Sequence, residues 1–459
     1  MRRVAQLAAV SMFALLAAGV TAEAEDLNGA LGQAYLGNPT LDAARAQLRS
    51  TDEGVPQALS GWRPTVTGQV NAGVEWSHDG SKAGPNQLII DRNRQFYPRT
   101  YSLTLTQPLF SGFGTVSGTK AAENRVKAGR AQLLDIEQQV LFAAVQAYVS
   151  VVTNQSILEL NRNNVKVLQA QLQATNDRFQ AGEVTKTDVS QAQASLQGAI
   201  ASATAAEGDL TASMAVYRQV VGQEPVQLSM PSITPNLPQK QEDAVAMSQA
   251  APIVVSAQFV ESATKDDIDT QFSELLPSVS LQGSVSRADE QASTRDSTTE
   301  GTILGVLTVP LYQAGAPDSR VRQAKQLYQQ ARRQLDEARR SAAQQAVAAW
   351  QALETAQAQI TSFEEQVRAN TVALEGVRQE QTVGARTVLD VLDAEQALLN
   401  SKVNLVNAQS NLVIARYQVL QAVGQLNAKA LALNVPLYDP SKHYNDVRNK
   451  WWGTGPAAQ

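Results

Sequence analysis

The chain of 459 residues has no cysteine, which excludes a disulfide scaffold, a thiolate metal site, a cysteine nucleophile and a lipid-modified N-terminal cysteine. Its two histidines, His78 and His443, lie too far apart in sequence to suggest a His-rich metal site. Aromatic residues are scarce at 5%, so several large globular cores are not expected; a long, narrow shape packed on small side chains is. A net charge of −5 lacks the basic excess of a nucleic-acid binder. No nucleophile–base pair or cofactor motif appears, so no enzyme is expected. Long apolar runs are missing too, with one exception: Val4 to Val20 follows the basic start Met1-Arg2-Arg3 and precedes small residues up to Ala24. That pattern reads as a secretory signal peptide over residues 1–24. No later stretch reaches the roughly 18 uninterrupted apolar residues of a spanning helix. The chain is therefore expected to be exported, and to enter a membrane, if at all, by strands.

What the sequence does contain is itself, twice. Leu105-Thr-Gln-Pro-Leu-Phe110 returns as Leu307-Thr-Val-Pro-Leu-Tyr312, an offset of 202 from Pro108 to Pro310. The same offset carries Tyr148 onto Trp350, Gly182 onto Gly384, Asp188 onto Asp390 and Gly222 onto Gly424. Upstream the offset is 213, from Pro64 to Pro277, so the first copy holds 11 extra residues, around Gly73 to Pro98. A fixed offset over such a distance marks duplication. The expected organisation is repeat one over 25–222, a linker over 223–241, repeat two over 242–424 and a polar tail over 425–459. The linker carries Pro225, Pro231, Pro235 and Pro238, which cannot continue a helix.

Each copy switches between two periods. Residues 27–60 have helical spacing; from Pro64, apolar Val66, Val70, Val74 and Trp76 alternate with polar Thr65, Thr67, Gln69 and Asn71. Strands are expected at about 62–76 and 97–110, and again at 276–286 and 302–311. Each pair is followed by a very long helix, Thr115 to Gln180 and Pro317 to Val383, about 100 Å at 1.5 Å per residue. A glycine turns each helix back, giving coiled-coil hairpins whose seam is diluted with Ala and Gln.

Four one-sided strands cannot close a barrel, which needs roughly eight. An exported four-stranded sheet would leave bare edges, so a barrel shared between two or three chains is expected, and only a closed barrel can cross lipid with strands. Trp62, Trp76, Tyr97, Tyr101, Phe110 and Tyr312 fall near strand ends, where an interfacial aromatic belt would sit.

With these features the sequence resembles the TolC family of outer-membrane efflux and type I secretion channel proteins. The resemblance rests on the duplication, on the Pro-Leu-aromatic strand ends and on the segments 383–395 and 178–189. The tail, with Tyr438-Asp-Pro440 and Trp451-Trp452-Gly453, resembles members serving protein secretion as well as efflux. The implied fold is mainly α with a transmembrane β-barrel: a homotrimer with 12 barrel strands and a periplasmic α-helical tunnel. The implied partners are outer-membrane lipid, a periplasmic adapter and an inner-membrane transporter. The implied location is the outer membrane, extending into the periplasm.

Both hairpin turns read G-x-x-T-x-x-D-V-x-x-A: Gly182, Thr185, Asp188 in the first, Gly384, Thr387, Asp390 in the second. Glycine suits a left-handed helix stop, and Thr with Asp three residues on is a capping box. Two differences between the turns say more. Arg386 stands where the first copy has Val184, and Asp393 where it has Gln191, one helical turn after Asp390. In a trimer, Asp390 and Asp393 would stack as two acidic rings, open to block by multivalent cations. The resemblance further implies that Arg386 ties to Thr187 and Asp188 of a neighbouring chain to hold the entrance shut, with Gln381 in place of a supporting tyrosine.

Other features carry less. Gly112-Phe-Gly-Thr-Val-Ser-Gly118 has the wrong spacing for a nucleotide loop, and the pairs Arg332-Arg333 and Arg339-Arg340 read as a solvated helix face. Two other classes of function fit part of the pattern: a structural coiled-coil protein of an exported filament, and a periplasmic adapter.

Overall fold

The computed structural model describes residues 26–81, 90–231, 236–291 and 295–455. The signal-peptide segment, Pro235 and the tip of the 73–98 insertion lie outside these residues. Where the spacing predicts one helix over 27–60, the chain forms three: α1 (Leu27–Gly37), α2 (Pro39–Asp52) and α3 (Gly54–Leu59). Proline disfavours a helical residue before it, and Asn38 accordingly sits extended at φ −77°, ψ 120°. Its side chain accepts from Thr40 N (2.9 Å) and donates to Val220 O (2.9 Å), so the break both caps α2 and anchors it.

A single 3₁₀ turn, Ser60–Trp62, leads into β1 (Thr65–Ala72). The alternation up to Trp76 hides a break at Gly73, whose N–H bonds Pro98 O at 3.0 Å. Beyond it β2 (Glu75–Ser81) and β3 (Ile90–Phe96) pair with each other, so the longer connection that holds the 11-residue excess contains a separate ribbon where a loop was expected. The next strand is β4 (Arg99–Ser111), followed by α4 (Gly114–Gln180) and α5 (Lys186–Val221). The second copy contributes α6 (Gln241–Ser248), α7 (Pro252–Phe272), β5 (Ser278–Asp289), β6 (Ser297–Thr308), α8 (Ala316–Thr382) and α9 (Val388–Ala422). The last element is α10 (Lys442–Arg448).

The four main strands form one antiparallel sheet in the order β1-β4-β5-β6. Its register puts Val66, Leu105, Gly283 and Ile303 in one cross-strand row, and Thr67, Thr104, Ser284 and Thr302 in the next. One face is thus apolar and the other largely hydroxyl and amide, as period-2 alternation requires. A bulge between Pro108 and Phe110 inserts Leu109 and returns Phe110 to the apolar row with Val279 and Leu307. The apolar side chains are bare: Val66 is 64%, Val70 68% and Ile303 79% exposed. Where the strands meet the helices the two copies touch. Gly112, at φ +59°, has Ser273 O where a Cβ would stand, 2.6 Å away. A glycine is required there by the close approach as well as by the dihedral.

Below the sheet, α4 pairs with α5 and α8 with α9, while α7 packs along α4 and α8. The two long helices are each 67 residues, about 100 Å. By composition α4 contains a stretch apolar enough to cross a membrane, half of it buried. That stretch is protein core instead: Leu141, Val145, Tyr148, Val149 and Val151 are almost wholly enclosed, packed with Leu31, Tyr217 and Leu426. Tyr148 hydroxyl donates to Ser229 O (2.9 Å) and accepts from Ser229 N (3.3 Å), pinning the proline-rich linker to α4.

The tail is less polar than its composition suggests. Leu426, Ala428 and Val447 are buried, and Ala428 N donates to the buried Glu137 carboxylate at 2.7 Å. Burial raises the Glu137 pKa, while this hydrogen bond opposes the shift. His443, which composition alone leaves in solvent, lies 3.2 Å from Asp52, a carboxylate only 1% exposed.

Candidate functional site at the hairpin tips

Both hairpins end in the same construction. After α4 the chain passes through Gly182 at φ +77°, with Gly182 N bonded to Phe179 O (3.0 Å) and Glu183 N to Arg178 O (2.9 Å). After α8, Gly384 at φ +78° repeats it, with Gly384 N bonded to Gln381 O (3.1 Å) and Ala385 N to Glu380 O (2.9 Å). These are Schellman stops, which satisfy carbonyls the helix end leaves free. Each return helix starts with the expected capping box. Asp188 N donates to Thr185 Oγ1 at 3.3 Å, while Asp188 accepts from Thr185 N (2.8 Å) and from its hydroxyl (2.7 Å). In the second turn Asp390 and Thr387 do the same at 3.2, 2.8 and 2.8 Å.

The hydrogen bonds from Thr185 hold the Asp188 carboxyl below its ordinary range. Those from Thr387, backbone first, do so for Asp390, with Arg386 adding a smaller pull. One oxygen of each carboxylate is therefore already committed within its own turn. Asp393 is placed differently. It lines an open groove of about 500 Å³ with Asn161 and Asn164 of α4 and Asn400 of α9.

Arg386 does not stand free. Its Nε donates to Glu380 at 2.8 Å across the turn, and Glu380 in turn raises the guanidinium pKa. The first turn has a matching bridge with the charges reversed, Arg178 to Glu183 at 3.1 Å. Glu380 is the 202-offset partner of Arg178, so the reversal was readable from the duplication although neither residue stands out alone. A third pair, Arg378 with Glu395, joins α8 to α9 just above the turn. Val184 packs against a cluster that joins Leu168, Ala192 and Leu196 of the first hairpin to Val388 and Leu392 of the second, so the two tips of one chain are in contact. Thr187 is exposed. Gln381 has its Nε2 enclosed without an acceptor among the described residues.

The geometry thus gives two capped, charge-bridged turns beneath a two-faced sheet. The profile of the outer membrane efflux protein family matches residues 30–223 and 246–425. The chain belongs to that family. It is 35% identical to the outer membrane efflux protein BepC of Brucella suis, over 97% of this chain and 95% of BepC. It is 27% identical to the outer membrane protein TolC of Vibrio cholerae, over 88% and 92% of the two chains. It is 26% identical to the proteases secretion protein PrtF of Dickeya chrysanthemi, over 95% and 93%. Among solved structures, the Campylobacter jejuni CmeC outer membrane channel superposes with a TM-score of 0.76 at 16% identity, covering 93% of this chain and 89% of that one. The protein is an outer-membrane efflux channel by family, which sets aside the filament and adapter readings. The family is one of channels rather than enzymes.

Proposed function

We propose that three copies join their sheets edge to edge into a 12-stranded barrel, continued below by a helical tunnel whose mouth is the ring of hairpin tips. The observation that carries this reading is a sheet with one apolar and one polar face, unpaired at β1 and β6, above two 67-residue helices per chain. Such a duct does no chemistry, and its energy comes from an inner-membrane transporter reached through a periplasmic adapter at the tips. Residues 1–24 direct export. The two repeats, 25–222 and 242–424, each supply two barrel strands and one hairpin, while the linker (223–241), through Ser229, and the tail (425–459), through Leu426 and Ala428, brace the middle. Cargo is either small molecules or proteins.

In this reading the mouth is gated. Arg386, Gln381, Thr187 and Asp188 form the links between neighbouring chains, and Asp390 and Asp393 form acidic rings in the passage. Since Asp390 keeps one oxygen in its cap, Asp393 is the stronger cation ligand of the two. The test is single-channel recording of the purified protein in planar bilayers. Multivalent cations added on the tunnel side should block the channel, and Asp390→Asn with Asp393→Asn should relieve the block. Equal block in the double variant would remove the rings from the passage.

A further inference from the structure

We propose that Trp451 and Trp452 anchor the tail in the phospholipid headgroups of the membrane leaflet facing the periplasm. The pair is 66% and 88% exposed, while the helix just before it is firmly seated. Val447 is 0% exposed, Arg448 donates to Glu123 at 2.9 Å, Arg130 lies 5.1 Å from the Tyr444 ring and His443 meets Asp52. A segment held this well carries two bare indoles at its end, and such apolar exposure marks a contact surface.

The position of the pair identifies the contact. Arg63 Nη1 donates to Lys450 O at 2.6 Å, and its guanidinium lies 5.2 Å from the Trp451 ring centroid. Arg63 stands two residues before β1 begins, so the indoles sit at the foot of the sheet, level with Trp62, which is 39% exposed. The foot of β6 is also apolar and bare, with Leu311 93% and Tyr312 88% exposed. On the barrel reading proposed above, the apolar band of β1, at Val66 and Val70, ends at this level, and the exposed indoles lie just below it in the headgroup layer, where amphipathic indoles settle. Charge agrees with this, because Arg63 and Lys450 have no carboxylate partner among the described residues and suit lipid phosphates. The tail becomes a second attachment to the leaflet, outside the barrel wall.

The test uses the full chain in vesicles of phosphatidylethanolamine and phosphatidylglycerol, with Trp62, Trp76 and Trp350 replaced by Phe. Only the tail pair then emits as tryptophan, since the sequence has five. Lipids brominated near the glycerol backbone should lower emission roughly two-fold, and lipids brominated at the chain ends should do much less. If the triple variant does not assemble, the difference between the parent and Trp451→Phe/Trp452→Phe gives the same reading. Emission characteristic of water and indifferent to bromolipid overturns the proposal. So does emission that ignores bromolipid but shifts when the oligomer dissociates, which would seat the pair on a second copy of the chain.

Discussion

At the residue scale, the duplication separates structure from gating. Whatever both turns share, Gly, Thr and Asp at fixed spacing, is accounted for by Schellman stops and capping boxes, and that much was legible in the sequence. Arg386 has Val184 at its offset position, and its partner Glu380 shows in the sequence only as the charge-reversed counterpart of Arg178; that the two bridge the turn depends on how the turn folds. In the proposed gate the pairing matters, because Glu380 competes for Arg386 with Thr187 and Asp188 of the neighbouring chain. Arg386→Ser is expected to raise single-channel conductance roughly two-fold by removing the latch. Glu380→Gln is expected to lower it, by releasing Arg386 toward Thr187 and Asp188 next door. A change of the same sign in both would show that Glu380 does not compete for Arg386. The capping carboxylates predict a pH response as well. Their pKa values are depressed on folding, so the stabilisation they give is present above the unfolded value of 3.8 and is lost as pH falls through the folded one. Hydrogen exchange at the tips should stay protected from about pH 7 down to about pH 5 and weaken only in stronger acid. Loss of protection between those two values would contradict the caps as described.

At the element scale, the long helices and barrel strands were readable because their periods are sustained. The 27–60 segment was not, since three short helices around Asn38 and Glu53 preserve the spacing of one. The β2–β3 ribbon was hidden because alternation runs through Gly73 without a change of pattern. The tail misled through composition: it is polar by count, but Leu426, Ala428 and Val447 are placed inward. Its attachment gives a prediction. Asp52 is pushed up by burial, and the His443 hydrogen bond partly offsets that. His443→Ala leaves the carboxylate buried without its partner, at a cost of about 1–3 kcal/mol. The tail should then be cleaved faster in limited proteolysis, while β-sheet protection is unchanged. The turns offer a second case. Neither Gly182 nor Gly384 has any atom within 4 Å of a built Cβ, so Ala at either site meets only the left-handed dihedral. Each substitution should cost about 1 kcal/mol. Faster amide exchange confined to the last turn of α4 or α8 would register it; a global loss of stability would mean the glycines serve packing as well.

At the scale of the whole molecule, one chain presents an unfinished object. Among the described residues the sheet ends at β1 on one side and β6 on the other and its apolar face is bare, so in the proposed assembly the missing contacts are lipid and other copies. The absence of cysteine, which first excluded so much chemistry, makes this closure easy to examine. Thr67 on β1 and Thr302 on β6 share one polar row across the sheet, three strand spacings apart. That separation is about 14 Å, twice what a disulfide spans. Cysteines placed at both edges of a single chain cannot join within it. With Thr67→Cys fixed and the partner moved along β6 through Thr298, Glu300, Thr302 and Leu304, one register should oxidise efficiently in membranes. The product expected on a non-reducing gel is a closed three-chain species, with dimers only as intermediates. A ladder that stops at two chains would point to a two-fold assembly, whose eight strands leave a lumen that side chains fill. Such a barrel could not pass cargo, so the gel tests the stoichiometry and the duct together.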